Sequence, residues 1–161
     1  MCVCVFCVSQ GRSSVLCAGL AEFVRSGSWA AQLIRAKSLY TAKMEVLCDS
    51  LEEHCAEWVE FERPTGGFYL WLRMREAGMS AAAVQSAAMD EGLVTRDGSM
   101  YFQYTPVAQF AADTATGDVT VAATGGAQHI RLCFSQPSLA DLRASGLRLA
   151  AACRRVSAQR Q

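Results

Sequence analysis

Apolar positions in this chain recur first every three to four residues, then every second residue, and then in alternating blocks of both kinds. Leu16, Leu20, Phe23 and Val24 share one side of a helix expected over residues 13–25. Ser26-Gly27-Ser28 interrupts it, and Ser28 stands where it can cap the helix that follows. That second helix is predicted from about Trp29 to His54. Trp29, Leu33, Ala36, Tyr40, Met44, Leu47 and Leu51 form one apolar stripe along it. Arg35, Lys37, Lys43, Glu45, Asp49 and Glu52 occupy the opposite, exposed face.

The period then drops to two. Val59 and Phe61 alternate with Glu60 and Glu62, Arg63-Pro64-Thr65-Gly66-Gly67 supplies a reversal, and Phe68, Leu70, Leu72 and Met74 fall on one face of the next strand. The two runs read as a β-hairpin. Ser80 caps a helix over AAAVQSAAMDE, and Gly92 closes it. A third extended piece is expected near Ser99–Tyr104, and residues 105–128, rich in Ala, Thr, Gly and Asp, read as a surface insertion. A fourth strand over His129–Ser135 sets Ile130, Leu132 and Phe134 against Arg131, Cys133 and Ser135. Pro137-Ser138-Leu139-Ala140-Asp141 has the capping-box pattern, and Leu139, Leu142, Gly146, Leu149 and Cys153 share a face of the last helix. The expected class is α+β: a small, mainly antiparallel sheet of about four strands, covered on one side by helices and preceded by a long helix.

Composition changes this picture little. The chain has 161 residues, is 52% hydrophobic and 19% charged, and carries 15 basic against 15 acidic side chains. A neutral balance gives no electrostatic footprint for nucleic acid or an anionic membrane. Eight cysteines are many, yet a chain of this size has a core and does not need a disulfide frame. Cys4 and Cys7 have the spacing of one zinc knuckle, but no second ligand set accompanies them, so no metal is expected and the thiols read as free in a reducing, cytoplasmic setting. Residues 1–17 stand apart as an N-terminal segment. Their apolar opening is too short to span a bilayer and is equally readable as a strand, a targeting remnant or an ill-defined start.

Three stretches, in order, carry a family resemblance. Pro64-Thr65-Gly66-Gly67-Phe68-Tyr69-Leu70-Trp71 resembles a P-x-G-G-x-F/Y-x-W turn and strand. Glu91-Gly92-Leu93-Val94 with Asp97-Gly98-Ser99-Met100-Tyr101 resembles G-V followed by P-G-x-x-F. Ile130-Arg131-Leu132-Cys133-Phe134-Ser135 resembles an I-R-L-x-F-S strand. Together they resemble the C-terminal small domain of fold-type-I (class I/II) pyridoxal-phosphate-dependent aminotransferases, in the branch of aminoadipate-type transaminases and the related fused regulators. The domain is expected over 18–161. Departures are Asp97 in place of the usual proline, Gln32 and Lys37 where histidine and arginine are common, and the long insertion.

The resemblance implies transfer of an amino group between an amino acid and a 2-oxo acid, with Arg131 gripping the substrate α-carboxylate. A guanidinium presents two parallel donors that match a carboxylate's two oxygens; the bland alternative is an arginine in a structural ion pair. Tyr101 is expected near the substrate or simply in the core, and Gly66 and Gly67 at a turn of close approach or a plain hairpin reversal. His54 and His129 read as ordinary helix-end and strand-end residues. The family's cofactor lysine belongs to a large domain, whereas this chain has only Lys37 and Lys43. The resemblance therefore implies a homodimeric pyridoxal-phosphate enzyme whose large domain and second subunit complete the site. Alone, this chain is expected to bind no cofactor and to have no catalytic residue or activity. A non-catalytic binding or regulatory domain and an inactive fragment are the alternatives.

Overall fold

The computed structural model describes residues 13–102 and 126–160. Helix α1 spans Ser14–Arg25 and α2 spans Ser28–Cys55. Strands β1 (Val59–Glu60) and β2 (Tyr69–Met74) follow, then α3 (Ala81–Asp90), β3 (Arg96–Asp97), the short α4 (Ser99–Phe102), β4 (His129–Cys133) and α5 (Leu139–Ala158). The chain divides into two compact units, Met1–Thr41 and Ala42–Gln161, with the boundary inside the continuous α2. No helix among the described residues is long and apolar enough to cross a membrane.

The four strands form one sheet in the order β1-β2-β4-β3, every pairing antiparallel. The predicted hairpin is present, with Val59 opposite Met74 and Glu60 opposite Arg73. β2 and β4 are the central pair, Leu70 opposite Leu132 and Leu72 opposite Ile130. These four side chains, with Met74, are buried, whereas Tyr69, Trp71 and Arg73 are exposed. One face is therefore dry and lies under helices; the other is open. Each fully buried Leu, Ile or Met contributes about 1.5–3 kcal/mol of transfer free energy. This is the α+β arrangement expected from the sequence.

Several local expectations change. Ser28 does not cap α2 but begins it, after Gly27 at φ 77°, and the Ser26 hydroxyl accepts from Ser28 N–H at 3.4 Å. Phe68 is exposed because β2 begins only at Tyr69, so the buried face starts at Leu70; the Phe68 carbonyl accepts from Phe134 N–H beyond the last register pair. Leu139, in the first turn of α5, is half exposed. The extended piece expected at Ser99–Tyr104 is instead helix over Ser99–Phe102, with the strand earlier, at Arg96–Asp97. Asp97 explains the shift: its carboxylate accepts from Ser99 N–H at 3.0 Å and from the Ser99 hydroxyl at 2.5 Å, a helix-starting cap. Residues 105–125 of the expected insertion, residues 103–104 of the expected extended piece, and Cys2, Cys4 and Cys7, lie outside the described residues.

Other punctuation is where the sequence puts it. α3 ends in a Schellman motif, with Gly92 at φ 74°, Gly92 N–H on Met89 O at 3.0 Å and Leu93 N–H on Ala88 O at 2.8 Å. Ser80 precedes α3 in an extended conformation but makes no side-chain cap bond. Ser138 does cap α5, accepting from Asp141 N–H at 3.2 Å.

α5 crosses the buried end of α2 at very short range. The Ser50 hydroxyl donates to Arg143 O at 2.6 Å and accepts from Gly146 N–H at 3.1 Å, while the Cys55 thiol donates to Gly146 O at 3.0 Å. A Cβ at residue 146 would lie 2.1 Å from the Ser50 carbonyl oxygen, a backbone atom that cannot rotate away. Gly146→Ala is therefore expected to cost about 2–3 kcal/mol, at the upper end of overpacking effects, read as a lowered urea midpoint. Gly66→Ala, where a Cβ meets nothing within 4 Å, should stay within about 0.5 kcal/mol of the parent.

Candidate functional site

The odd-numbered positions of β2 and β4 build the open face. Tyr69 stands opposite Cys133, Trp71 opposite Arg131 and Arg73 opposite His129; on the other side of β4, Arg96 stands opposite Arg131. Arg131 thus occupies the centre of the face. Its guanidinium carbon lies 3.9 Å from the Tyr69 ring centroid and 4.2 Å from that of Tyr101. Tyr101 in turn meets Trp71 edge-on, centroids 5.6 Å apart. Among the described residues the Arg131 side chain forms no ion pair and no hydrogen bond. A cation stacked on two rings gains about 0.5–1 kcal/mol per ring where it is exposed. Stacking engages the faces of the guanidinium and leaves its edge N–H groups for another acceptor.

Gly98 makes the Tyr101 contact geometrically feasible. A side chain there would approach His129 Cβ and O to 2.8 Å; with none, Gly98 N–H donates to His129 O at 2.7 Å and α4 begins directly against the start of β4. Tyr101, one turn on, then reaches over Arg131. Of the expected site residues, the structure brings Arg131 and Tyr101 into contact.

Gly66 lies elsewhere, on a groove of about 770 Å³ between the hairpin loop and the open face, whose walls include Glu60, Arg63, Tyr69, Trp71, Arg73 and His129. Tyr69 and Trp71 belong both to this groove and to the surroundings of Arg131. Gly67 at φ 88° turns the chain into β2 and is not part of the wall. The loop is tied down by Arg63, which donates to Glu52 at 2.9 and 2.7 Å and to Asp49 at 2.6 Å. These bonds hold the Glu52 carboxyl below the usual carboxylate range.

Sequence reasoning missed Tyr69, Trp71 and Arg96. For Tyr69 and Trp71 the signal was present: once Leu70 and Leu72 are assigned inward, their odd-numbered neighbours must point outward beside Arg131; Arg96 lies on a strand of two residues, too short to show a period.

Lys43, expected on an exposed face, is half-buried and donates to Ser135 O at 2.8 Å, because the strand end approaches α2 there; Lys37 is exposed. His54 is half-buried, 3.8 Å from Glu53. The described cysteines are free. Burial pushes the Cys48 thiol up to about 11 and those of Cys55 and Cys153 up to about 12. At Cys133 partial burial raises the thiol, but the Ser135 hydroxyl, the Ser135 and Gln136 backbone N–H groups and the Arg131 charge outweigh it and bring it below the ordinary value. No group of three or more His, Cys, Asp or Glu among the described residues suits a metal ion.

No protein-family model matches the chain. In sequence it is similar to two Bacillus subtilis (strain 168) proteins, both described as uncharacterized HTH-type transcriptional regulators. YhdI is 31% identical over 88 residues, 54% of this chain and 19% of the regulator. YdfD is 26% identical over 93 residues, 58% of this chain and 19% of the regulator. In structure it is similar to the α-aminoadipate aminotransferase LysN of Thermus thermophilus, solved with N-(5'-phosphopyridoxyl)-L-leucine (TM-score 0.65, 20% identity, 87% of this chain and 31% of the enzyme). It is also similar to a multiple substrate aminotransferase of Thermococcus profundus (TM-score 0.67, 17% identity, 86% and 29%). A third match is the kynurenine aminotransferase of Pyrococcus horikoshii (TM-score 0.64, 16% identity, 83% and 28%). The chain has the aminotransferase small-domain fold that its motifs lead one to expect, and it spans about three-tenths of those enzymes' length.

Pyridoxal phosphate requires an amine free to form an imine, set among groups that tune its ring. Lys43 is engaged with a carbonyl and Lys37 sits on an exposed helical surface. The described residues do not fit that cofactor.

The thiols give a direct check of the electrostatics. At pH 7.5, Cys133 is expected to react faster with a maleimide in the native protein than Cys48, Cys55 or Cys153, which should label only on unfolding, as mapped by peptide mass spectrometry. The three raised thiols also predict an alkaline limit. Their stabilisation is complete below the unfolded value of 9.0 and is lost as pH rises toward 11–12. Denaturant midpoints should fall over that interval, and less steeply in a Cys55→Ala, Cys153→Ala double variant.

Proposed function

We propose that this chain supplies the substrate-carboxylate grip of a pyridoxal-phosphate-dependent aminotransferase, acting on an amino acid and a 2-oxo acid through Arg131. The observation that carries the reading is the Arg131 guanidinium, stacked between Tyr69 and Tyr101 on an open sheet face with no acidic partner among the described residues. A structural ion pair, the bland alternative, would have required such a partner.

The chemistry of the grip follows from that geometry. The two rings hold the guanidinium plane, so its forked N–H edge meets a carboxylate with little orientational freedom left to lose. Fixing the carboxylate fixes the direction of the neighbouring Cα–H bond, and orientation of this kind contributes about 7–11 kcal/mol of barrier reduction in favourable cases. The proton-accepting amine and the electron sink come from outside these 161 residues, from a large domain and a second subunit of the kind the fold implies. On this reading the chain alone binds acids and does not transaminate.

The sequence similarity to HTH-type regulators favours a second reading, in which the same grip serves a ligand-sensing domain without turnover. Carboxylate binding is common to both. They separate when the chain is combined with a lysine-bearing aminotransferase large domain, pyridoxal phosphate and an amino acid. Formation of oxo acid that depends on Arg131 supports the enzyme; binding without product supports the sensor.

The grip itself is tested by titrating the chain with 2-oxopentanoate and following backbone amide resonances. Two charge-assisted hydrogen bonds of about 1.5–3 kcal/mol each give an affinity on the order of millimolar. Shifts should centre on β4 and Tyr101, and Arg131→Gln should weaken binding at least about tenfold, or about 1.4 kcal/mol. Undiminished binding by Arg131→Gln would remove the assignment.

A further inference from the structure

The ladder between β3 and β4 is short, and a cavity opens where it stops. Arg96 opposite Arg131 is the last pair toward the end of β4. Beyond it the two segments part. A cavity of about 180 Å³ lies between Gly92-Leu93-Val94 and the end of β4, backed by α2 and α5. Leu47, Leu93, Leu132 and Leu142 supply its apolar walls. Close-packed interiors leave few spaces of this size. A leucine-lined cavity of about 150 Å³ accepts a benzene ring, so this one takes a branched four-carbon side chain and the atoms that carry it.

Two opposite charges stand on its solvent side. Asp141 is exposed and Arg148 half-buried, both on α5 and both at the cavity. The Ser138 hydroxyl donates to Asp141 Oδ2 at 2.6 Å and holds the carboxyl below its usual range, so it is ionised at neutral pH. Arg148 is loosely held. Its Nη1 donates to Gly92 O at 3.3 Å and lies 4.0 Å from Asp141 Oδ1. A pair this long between exposed groups contributes little, and among the described residues most of the guanidinium's donors are left over.

We propose that this cavity binds a free aliphatic α-amino acid as an effector. The carboxylate meets Arg148, the ammonium meets Asp141, and the branched side chain enters between the leucines. An acid alone would face the Asp141 charge, and an amine alone the Arg148 charge; the zwitterion satisfies both. A peptide terminus carries only one of the two charges beside its side chain. Among the described residues neither Arg131, Tyr101 nor any lysine lines the cavity. The ligand is therefore held here without being turned over, and the proposal does not depend on the Arg131 reading.

The full chain is titrated with L-leucine while backbone amide resonances are followed, in the parent and in Arg131→Gln, which lacks the grip on the open face. Saturable shifts are expected at Val94, Cys133, Leu142 and Arg148 in both proteins. Glycine lacks the side chain, 4-methylpentanoate the ammonium and 3-methylbutylamine the carboxylate. Each should bind there at least about tenfold more weakly than L-leucine, and L-leucine should bind Arg148→Gln at least about tenfold more weakly than the parent. Saturating L-leucine should also slow alkylation of Cys133, which lines the same cavity. Shifts that vanish in Arg131→Gln but persist in Arg148→Gln put the amino acid on the open face; they overturn the proposal and support the carboxylate grip. Binding of any of the three analogues as tight as that of L-leucine overturns it. So does a parent protein with no saturable shifts around the cavity and an unchanged rate of Cys133 alkylation.

Discussion

Strand β4 is the constraint on which the rest of the molecule depends. It lies between β2 and β3, and its period of two sends Ile130 and Leu132 into the helix layer and Arg131 to the open face. A slip of one residue would drive a guanidinium into a core that offers it nothing and expose two aliphatic side chains. Register is therefore fixed by the cost of burying a charge as much as by the gain from burying leucine. Arg131 and the buried residues on either side of it thus specify each other's orientation.

The elements with clean periodicity were legible in the sequence. The alternation of Leu70, Leu72 and Met74, the Ile130-Leu132 strand, the Gly92 terminus and the Ser138 cap each rest on a local rule that tertiary context reinforces. The segment after α3 was not legible. Arg96–Asp97 is too short to show a period, and the aromatic run Tyr101-Phe102 mimics a strand until the cap formed by Asp97 is known. Asp97 stands as a departure from proline. The physical meaning of the change is that an aspartate starts a helix with its side chain, whereas proline stiffens the backbone without accepting a bond.

The stripe on α2 shows a different limit. Leu47 and Leu51 are buried, while Trp29 and Leu33, on the same predicted stripe, are 49% and 39% exposed. A helical period reports that one side is apolar, not what covers it. α1 has the same character, with Leu16, Leu20 and Val24 exposed. The part of the stripe that belongs to the unit beginning at Ala42 found its partner in α5, through a crossing so tight that only Gly146 fits opposite Ser50. Nothing in the local pattern hints at that glycine's role, since a glycine inside a helix costs about 1 kcal/mol relative to alanine and looks like a weakness. Here the close approach of two backbones, with three hydrogen bonds across it, offsets that cost.

The means by which Arg131 is held bears directly on the proposed carboxylate grip. A buried carboxylate partner would have fixed the side chain equally well, but it would have neutralised the charge and occupied the donor edge, and a ligand would then have to displace it. Two tyrosine rings fix the plane through its faces, retain the full charge and leave the edge for a planar acceptor. Trp71, packed edge-on against Tyr101, steadies the second ring in turn. The small-domain fold thus keeps a cation oriented without the counter-charge that would silence it. The sequence expresses this in three places far apart in the chain: Tyr69 on β2, Tyr101 after the Asp97 cap, and Arg131 between two buried aliphatic residues on β4.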